Sequence, residues 1–252
     1  MATFTDIFER KEIKYRISAA QFQRVQQELS SRMQPDAYGR SAVSSLYYDT
    51  PNFNLINRSL EKPVYKEKLR LRSYGAPVDT TLAQPAFLEI KKKFKGIVYK
   101  RRVHITAQAA QAFLDGMPYE QAVAAFPLED AEAQETSLSA RSLQISKEIA
   151  YFNSFYGPLA PAMRIDVMRT AWCMQPEQED DVRVTFDEDI CYTNLLAANP
   201  RTTPLLPDGD VIMEVKICGA MPMWLVQILD SCVIKPSSFS KYGESYKATL
   251  AS

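Results

Sequence analysis

In Tyr65-Lys66-Glu67-Lys68-Leu69-Arg70-Leu71-Arg72, the basic residues Lys66, Lys68, Arg70 and Arg72 fall on every second position. Successive side chains of an extended strand point to opposite faces. The four cations therefore share one face, and Leu69 and Leu71 share the other. The same alternation recurs in Arg10…Glu12…Lys14…Arg16, Glu89-Ile90-Lys91-Lys92-Lys93, Arg164-Ile165-Asp166, Arg183-Val184-Thr185-Phe186-Asp187 and Glu214-Val215-Lys216. One such strand is ordinary solvent-facing sheet. Several of them, mixing Arg and Lys with isolated Glu, predict charged faces that gather around an anionic ligand and a metal.

With 252 residues and 46% hydrophobic content, the chain is long enough to bury a full core. Its formal net charge is zero, which argues against a general nucleic-acid binder. The average hides an asymmetry: residues 1–110 hold 20 Lys/Arg against 10 Asp/Glu, and residues 111–252 hold 10 against 20. A basic surface inside a neutral protein suits a small polyanion better than a long duplex. Cys173, Cys191, Cys218 and Cys232 have no CxxC spacing, and His104 is the sole histidine. Zinc ligation and a Ser-His or Cys-His nucleophile are thus disfavoured. The start of the chain lacks the apolar core of a signal peptide, and no stretch approaches the ~20 apolar residues of a membrane span. A soluble, cytoplasmic protein is expected.

Along the chain, strands are predicted at about 7–17, 41–49, 63–74, 85–94, 97–105, 161–173, 181–188 and 211–217. Ser18 is placed to cap a helix reaching about Met33. Residues 106–126 read as helical with a break at Gly116-Met117-Pro118, and 137–156 as a helix closed by Gly157-Pro158. Residues 35–39, 127–136 and 193–210 read as loops, and helices are expected at 222–233 and 240–250. No linker divides the chain, so one α+β domain over residues 1–252 is expected. About eight strands with one charged face each can close into a barrel whose polar face lines a wet channel. They can equally form an antiparallel sheet with its charged face in solvent.

Glu9-Arg10-Lys11-Glu12-Ile13-Lys14-Tyr15, Leu46-Tyr47-Tyr48-Asp49-Thr50-Pro51 and Leu69-Arg70-Leu71-Arg72 resemble the opening of triphosphate tunnel metalloenzymes. Phe87-Leu88-Glu89-Ile90-Lys91-Lys92-Lys93, Arg169-Thr170-Ala171, the 183–187 segment, Met213-Glu214-Val215-Lys216 and Phe239-Ser240-Lys241-Tyr242 are similar to the VTC domain, the polyphosphate polymerase branch. The resemblance runs from about residue 7 to 248. It implies a closed, antiparallel, eight-stranded β-barrel with flanking helices, whose basic tunnel grips a triphosphate. By position it gives phosphate contacts to Lys14, Arg70, Arg72, Lys91, Arg169 and Arg183, with Arg10, Lys93, Lys216 and Lys241 as further substrate contacts. Glu214 matches the family's metal-coordinating glutamate, with Glu12 as a second ligand or a salt-bridge partner, for Mn²⁺ or Mg²⁺. The implied reaction extends polyphosphate from ATP, primed by pyrophosphate, with a separate membrane protein as a possible receiver of the product.

The chemistry agrees with those residue types. Phosphoryl transfer needs in-line positioning and neutralisation of charge on phosphate oxygens. Arg supplies planar bidentate donors and Lys a compact charge. Hydrolytic relatives begin with Glu-x-Glu-x-Lys, and this chain has Arg10 at the first glutamate position. That departure favours the polymerase over an inorganic or nucleotide triphosphatase; a non-catalytic polyphosphate-binding module is the third reading.

Overall fold

The computed structural model describes residues 10–95, 97–178 and 180–251, the Arg10 side chain excepted. The chain runs β1 (Arg10–Ile17), α1 (Ala19–Leu29), β2 (Met33–Asp49), α2 (Asn54–Leu60), β3 (Tyr65–Tyr74), β4 (Pro85–Phe94), β5 (Ile97–Thr106), α3 (Ala107–Leu114), α4 (Tyr119–Ala125), α5 (Ala131–Ser137), α6 (Ala140–Tyr156), β6 (Ala160–Met174), β7 (Val182–Asn194), β8 (Thr202–Pro204), β9 (Val211–Cys218), α7 (Met223–Ser231) and α8 (Lys241–Ala251). Its contacts gather in two units. The first holds the described residues up to Ser41, Val167–Ile190 and Leu206–Ser240; the second holds Ala42–Asp166, Cys191–Leu205 and the described residues from Lys241.

The hydrogen-bonded strand order is β1-β9-β7-β6-β2-β3-β4-β5, with β8 on β7. The closed eight-stranded barrel expected from the sequence is therefore not formed: β1 and β5 end an open nine-stranded sheet, and no ladder joins them among the described residues. Charge gives a physical reason. Closure would lay Lys100, Arg101 and Arg102 of β5 against a strand carrying Lys11, Lys14 and Arg16. Basic side chains along an edge strand, Lys above all, discourage a further strand from pairing there.

Within each unit the strands bury the face that alternation assigns. In the first, Tyr15 and Ile17 of β1, Val184 and Phe186 of β7, and Met213 and Val215 of β9 pack with Val25 and Leu29 of α1 and Leu225 of α7. In the second, Leu69 and Leu71 of β3, Leu88 and Ile90 of β4, and Val103 and Ile105 of β5 pack against α3, α4 and α6. Lys92 takes the opposite face from Lys91 and Lys93, as parity requires, and meets Glu148 of α6 at 2.5 Å. Local signals mark the helix ends. Ser18 and Gln21 form a capping box on α1, Ser139 caps α6, and α6 stops at Gly157 with φ +83°.

Three stretches depart from the expected loops, one of them β8, which pairs with β7 inside the segment read as the 193–210 loop. β2 runs through Pro35 and Gly39, and Gly39 takes φ +58°, a conformation open to glycine at no steric cost. β3 pairs with β2 over Val43–Tyr48, clear of the N–H that Pro35 lacks. The acidic segment near 130 forms α5 because Asp130 accepts from Ala133 N at 2.7 Å, capping the helix. No helix among the described residues is long and apolar enough to cross a membrane.

Asp49 anchors the end of β2 in the second unit. Fully buried, it accepts hydrogen bonds from Thr50 N at 2.8 Å, Leu55 N at 2.9 Å, Ile56 N at 3.0 Å and Tyr242 Oη at 2.7 Å. Replacing it strands four buried donors. Asp49→Ala is expected to lower stability by about 3 kcal/mol in urea unfolding, and Tyr242→Phe by about 1 kcal/mol.

Candidate functional site

The β2–β5 face opposite the second core is polar. Antiparallel register sets Tyr47 opposite Arg70, Ser45 opposite Arg72, and Lys68 and Arg70 opposite Lys91 and Glu89. It then sets Glu89 opposite Arg102 and Lys91 opposite Lys100. Arg70, Arg72 and Lys91 are thus brought together on one face. Lys93 sits at the exposed end of the same row, opposite Lys66. Lys241 opens α8, beside Tyr242.

Such a density of cations needs a counter-charge, and Glu89 supplies it. Its side chain is fully buried, with Arg70 Nε at 2.6 Å, Lys100 Nζ at 2.6 Å and Arg102 Nη1 at 3.9 Å. Burial would raise its carboxyl pKa. The charges of Arg70, Arg72 and Lys100 outweigh burial and bring it down to about 2. Lys100 is moved down, by burial first and by Arg70 and Arg72, against the upward pull of Glu89.

Tyr47 completes this face. Its ring stacks on Tyr242 at 4.5 Å and 18°, its Oη accepts from Arg70 Nη1 at 3.3 Å, and Lys68 lies 5.6 Å over the Tyr242 ring. Burial would raise the Tyr47 phenol, but Arg70, Lys68 and Arg72 bring it down to about 7. Burial and then the Asp49 carboxylate push Tyr242 far up, which keeps it a donor.

The first unit carries its own polar face. Lys14 lies opposite Glu214 and Glu12 opposite Lys216; Arg183 lies opposite Lys216 and Thr185 opposite Glu214. The Lys14 ammonium meets Glu12 Oε1 at 2.9 Å and Glu214 Oε1 at 3.6 Å. Arg169 makes a bidentate pair with buried Asp187, at 2.6 and 2.7 Å, and reaches Glu214 Oε2 at 3.6 Å. Lys14, Arg169, Glu12 and Glu214 are therefore assembled. Arg183 is more exposed and meets Asp36 Oδ2 at 2.9 Å. Arg10 pairs with Cys218 through β1, and its side chain lies outside the described residues.

Lys100, Arg102, Tyr47 and Asp187 join these faces without having been singled out from sequence. β4 and β5 pair with Phe94 opposite Ile97, a register that places Lys100 opposite Lys91 and Arg102 opposite Glu89. The signal for both cations was thus present in the hairpin. Tyr47 shares Ser45's parity; nothing local marks Asp187 as the partner of Arg169.

The VTC domain model matches residues 9–250. The chain belongs to the VTC domain family. Subunit 4 of the vacuolar transporter chaperone complex of Trypanosoma brucei brucei (strain 927/4 GUTat10.1) is 24% identical over 233 residues. That match covers 83% of this VTC-domain chain and 28% of the relative, so the chain spans little more than a quarter of that protein. Among solved structures, a candidate adenylate cyclase from Vibrio parahaemolyticus has a TM-score of 0.47 at 12% identity, covering 96% of this chain and 98% of its own. A protein from Pyrococcus horikoshii OT3 has a TM-score of 0.44 at 12% identity, covering 95% and 99%.

The Glu89 shift sets a pH dependence. A carboxyl pKa lowered on folding stabilises the protein above its unfolded value, and that contribution fades as pH falls from about 4.5 towards about 2. Glu89→Gln is expected to cost roughly 3 kcal/mol at pH 7. In urea unfolding, the gap from wild type should shrink steadily below pH 4.5.

Proposed function

We propose that the protein is a cytoplasmic, metal-dependent polyphosphate polymerase that moves the γ-phosphoryl group of ATP onto a growing inorganic polyphosphate chain. The observation that carries this reading is the row Arg70, Arg72, Lys91, Lys100 and Arg102, held in register around buried Glu89. Five cations on neighbouring strands match the repeating charge of a phosphate chain. Membership of the VTC domain family supports the same conclusion.

On this reading Arg70, Arg72 and Lys91, aided by Lys93 and Lys241, bind phosphates on the face of the second unit. Lys14, Arg169 and Arg183, with Arg10 and Lys216, do so on that of the first. Within each face the cations position phosphates for in-line attack and take up charge on the equatorial oxygens. The bond from the γ-phosphorus to the β,γ-bridging oxygen breaks, a bond to the terminal oxygen of the chain forms, and ADP leaves. That terminal oxygen is already ionised, so no general base is required.

The carboxylates fit a divalent ion that arrives with phosphate. Among the described residues, no group of three or more His, Cys, Asp or Glu side chains gathers as a metal cage. Mg²⁺ and Mn²⁺ commonly take one or two carboxylates and leave other positions to phosphate and water. Glu214, with Glu12 across the shared Lys14 ammonium, supplies such a pair. When bound, the metal would neutralise phosphate oxygens. The Trypanosoma relative is named as a complex subunit, which supports a partner protein, and a separate membrane protein that receives the product belongs to this reading.

Incubation with ATP, Mn²⁺ and a trace of pyrophosphate should give a ladder on a polyphosphate gel, with ADP released in step. Orthophosphate without a ladder would make the protein a hydrolase, and bound polyphosphate without turnover would make it a binding module. Arg72→Ala should slow chain growth by about 10²–10³-fold; Arg70 is a poorer probe because its loss also uncovers Glu89. Full turnover by Glu214→Ala would remove the metal role of that residue.

A further inference from the structure

The polar face of β3–β4–β5 changes character at one end. Two residues beyond Arg72 stands Tyr74, two before Glu89 stands Phe87, and two beyond Arg102 stands His104. Cations give way to planar rings. Register sets Phe87 between Arg72 and His104. The Phe87 and His104 rings stack at 4.4 Å and 14°, the Arg102 guanidinium lies 4.3 Å from the Phe87 centroid, and Tyr74 meets Phe87 edge-on at 6.0 Å.

These rings are not core. The core face of the same strands holds Leu71 and Leu88, both fully buried, whereas Tyr74 is 50% exposed. Phe87 and His104 are part-buried, and Arg102 is exposed. Burial, and next the Arg102 charge, hold the His104 imidazole below its ordinary value. Near neutral pH it presents a ring rather than a charge. Unbranched inorganic polyphosphate has no group that gains from planar π surface. A heteroaromatic base does, because bases stack on aromatic side chains and on the guanidinium plane.

We propose that Tyr74, Phe87, His104 and Arg102 form a platform for the base of a nucleoside triphosphate whose phosphates lie on Arg70 and Arg72. The platform rests on the polymerase reading above and adds to it where the nucleoside end of the donor sits. Arg72 and Tyr74 are two residues apart on one strand, roughly 7 Å, a span that a ribose fills. Stacking has little preference among bases, so ATP and GTP are expected to bind alike.

The test is isothermal titration calorimetry of ATP and of inorganic tripolyphosphate in one magnesium buffer. The proteins are wild type, Phe87→Ala and the double variant Tyr74→Ala/His104→Ala, the last keeping Phe87 in case Phe87→Ala fails to fold. Both variants should bind ATP about tenfold more weakly and tripolyphosphate with little change. Equal weakening of both ligands would overturn the platform, since the rings would then serve only to hold Arg102. Unchanged ATP affinity in the variants would overturn it too. Wild-type protein that binds neither ligand would remove the proposed function itself, and the platform with it.

Discussion

A carboxylate shut away from solvent lies in the middle of a row of arginines and lysines, and its charge lets those cations be packed together. Burying Glu89 is unfavourable by itself, and the nearby cations reverse the balance so far that it stays ionised to about pH 2. The same pairing fixes where the cations point. Arg70 is gripped at Nε, and Lys100 is drawn in from the neighbouring strand. Such a desolvated pair stabilises less than apolar packing of the same volume would, although removing one partner is costly. It makes better sense as a device for pre-placing positive charge that a polyanion would otherwise have to organise.

The first unit solves the same problem differently. Asp187 occupies both arms of the Arg169 guanidinium, while Glu12 and Glu214 share one ammonium, that of Lys14. In both units the apolar face of each strand is fixed by its core and the polar face follows by alternation. The chemistry of each face is therefore set residue by residue from the backbone period, without special loops.

That period is why so much was legible in the sequence. Tyr65–Arg72 dictates which side chains share a face, and Lys92 takes the opposite side from Lys91 and Lys93 for the same reason. The spacing of β4 and β5, with Phe94 opposite Ile97, also carried the register that brings in Lys100 and Arg102. Closure of the sheet was not legible, because period-2 alternation says nothing about whether the first and last strands pair; no ladder joins β1 to β5 among the described residues. The strand through Pro35 and Gly39 was hidden by residues that usually mark a turn. Asp187 was hidden because its partner, Arg169, lies on another strand with no local spacing to join them.

A crystal structure with tripolyphosphate bound tests the central claim most directly. The account predicts phosphate density within hydrogen-bond reach of Arg70, Arg72 and Lys91, on the face organised by Glu89. Phosphates bound elsewhere on the protein, with that face bare, would contradict it.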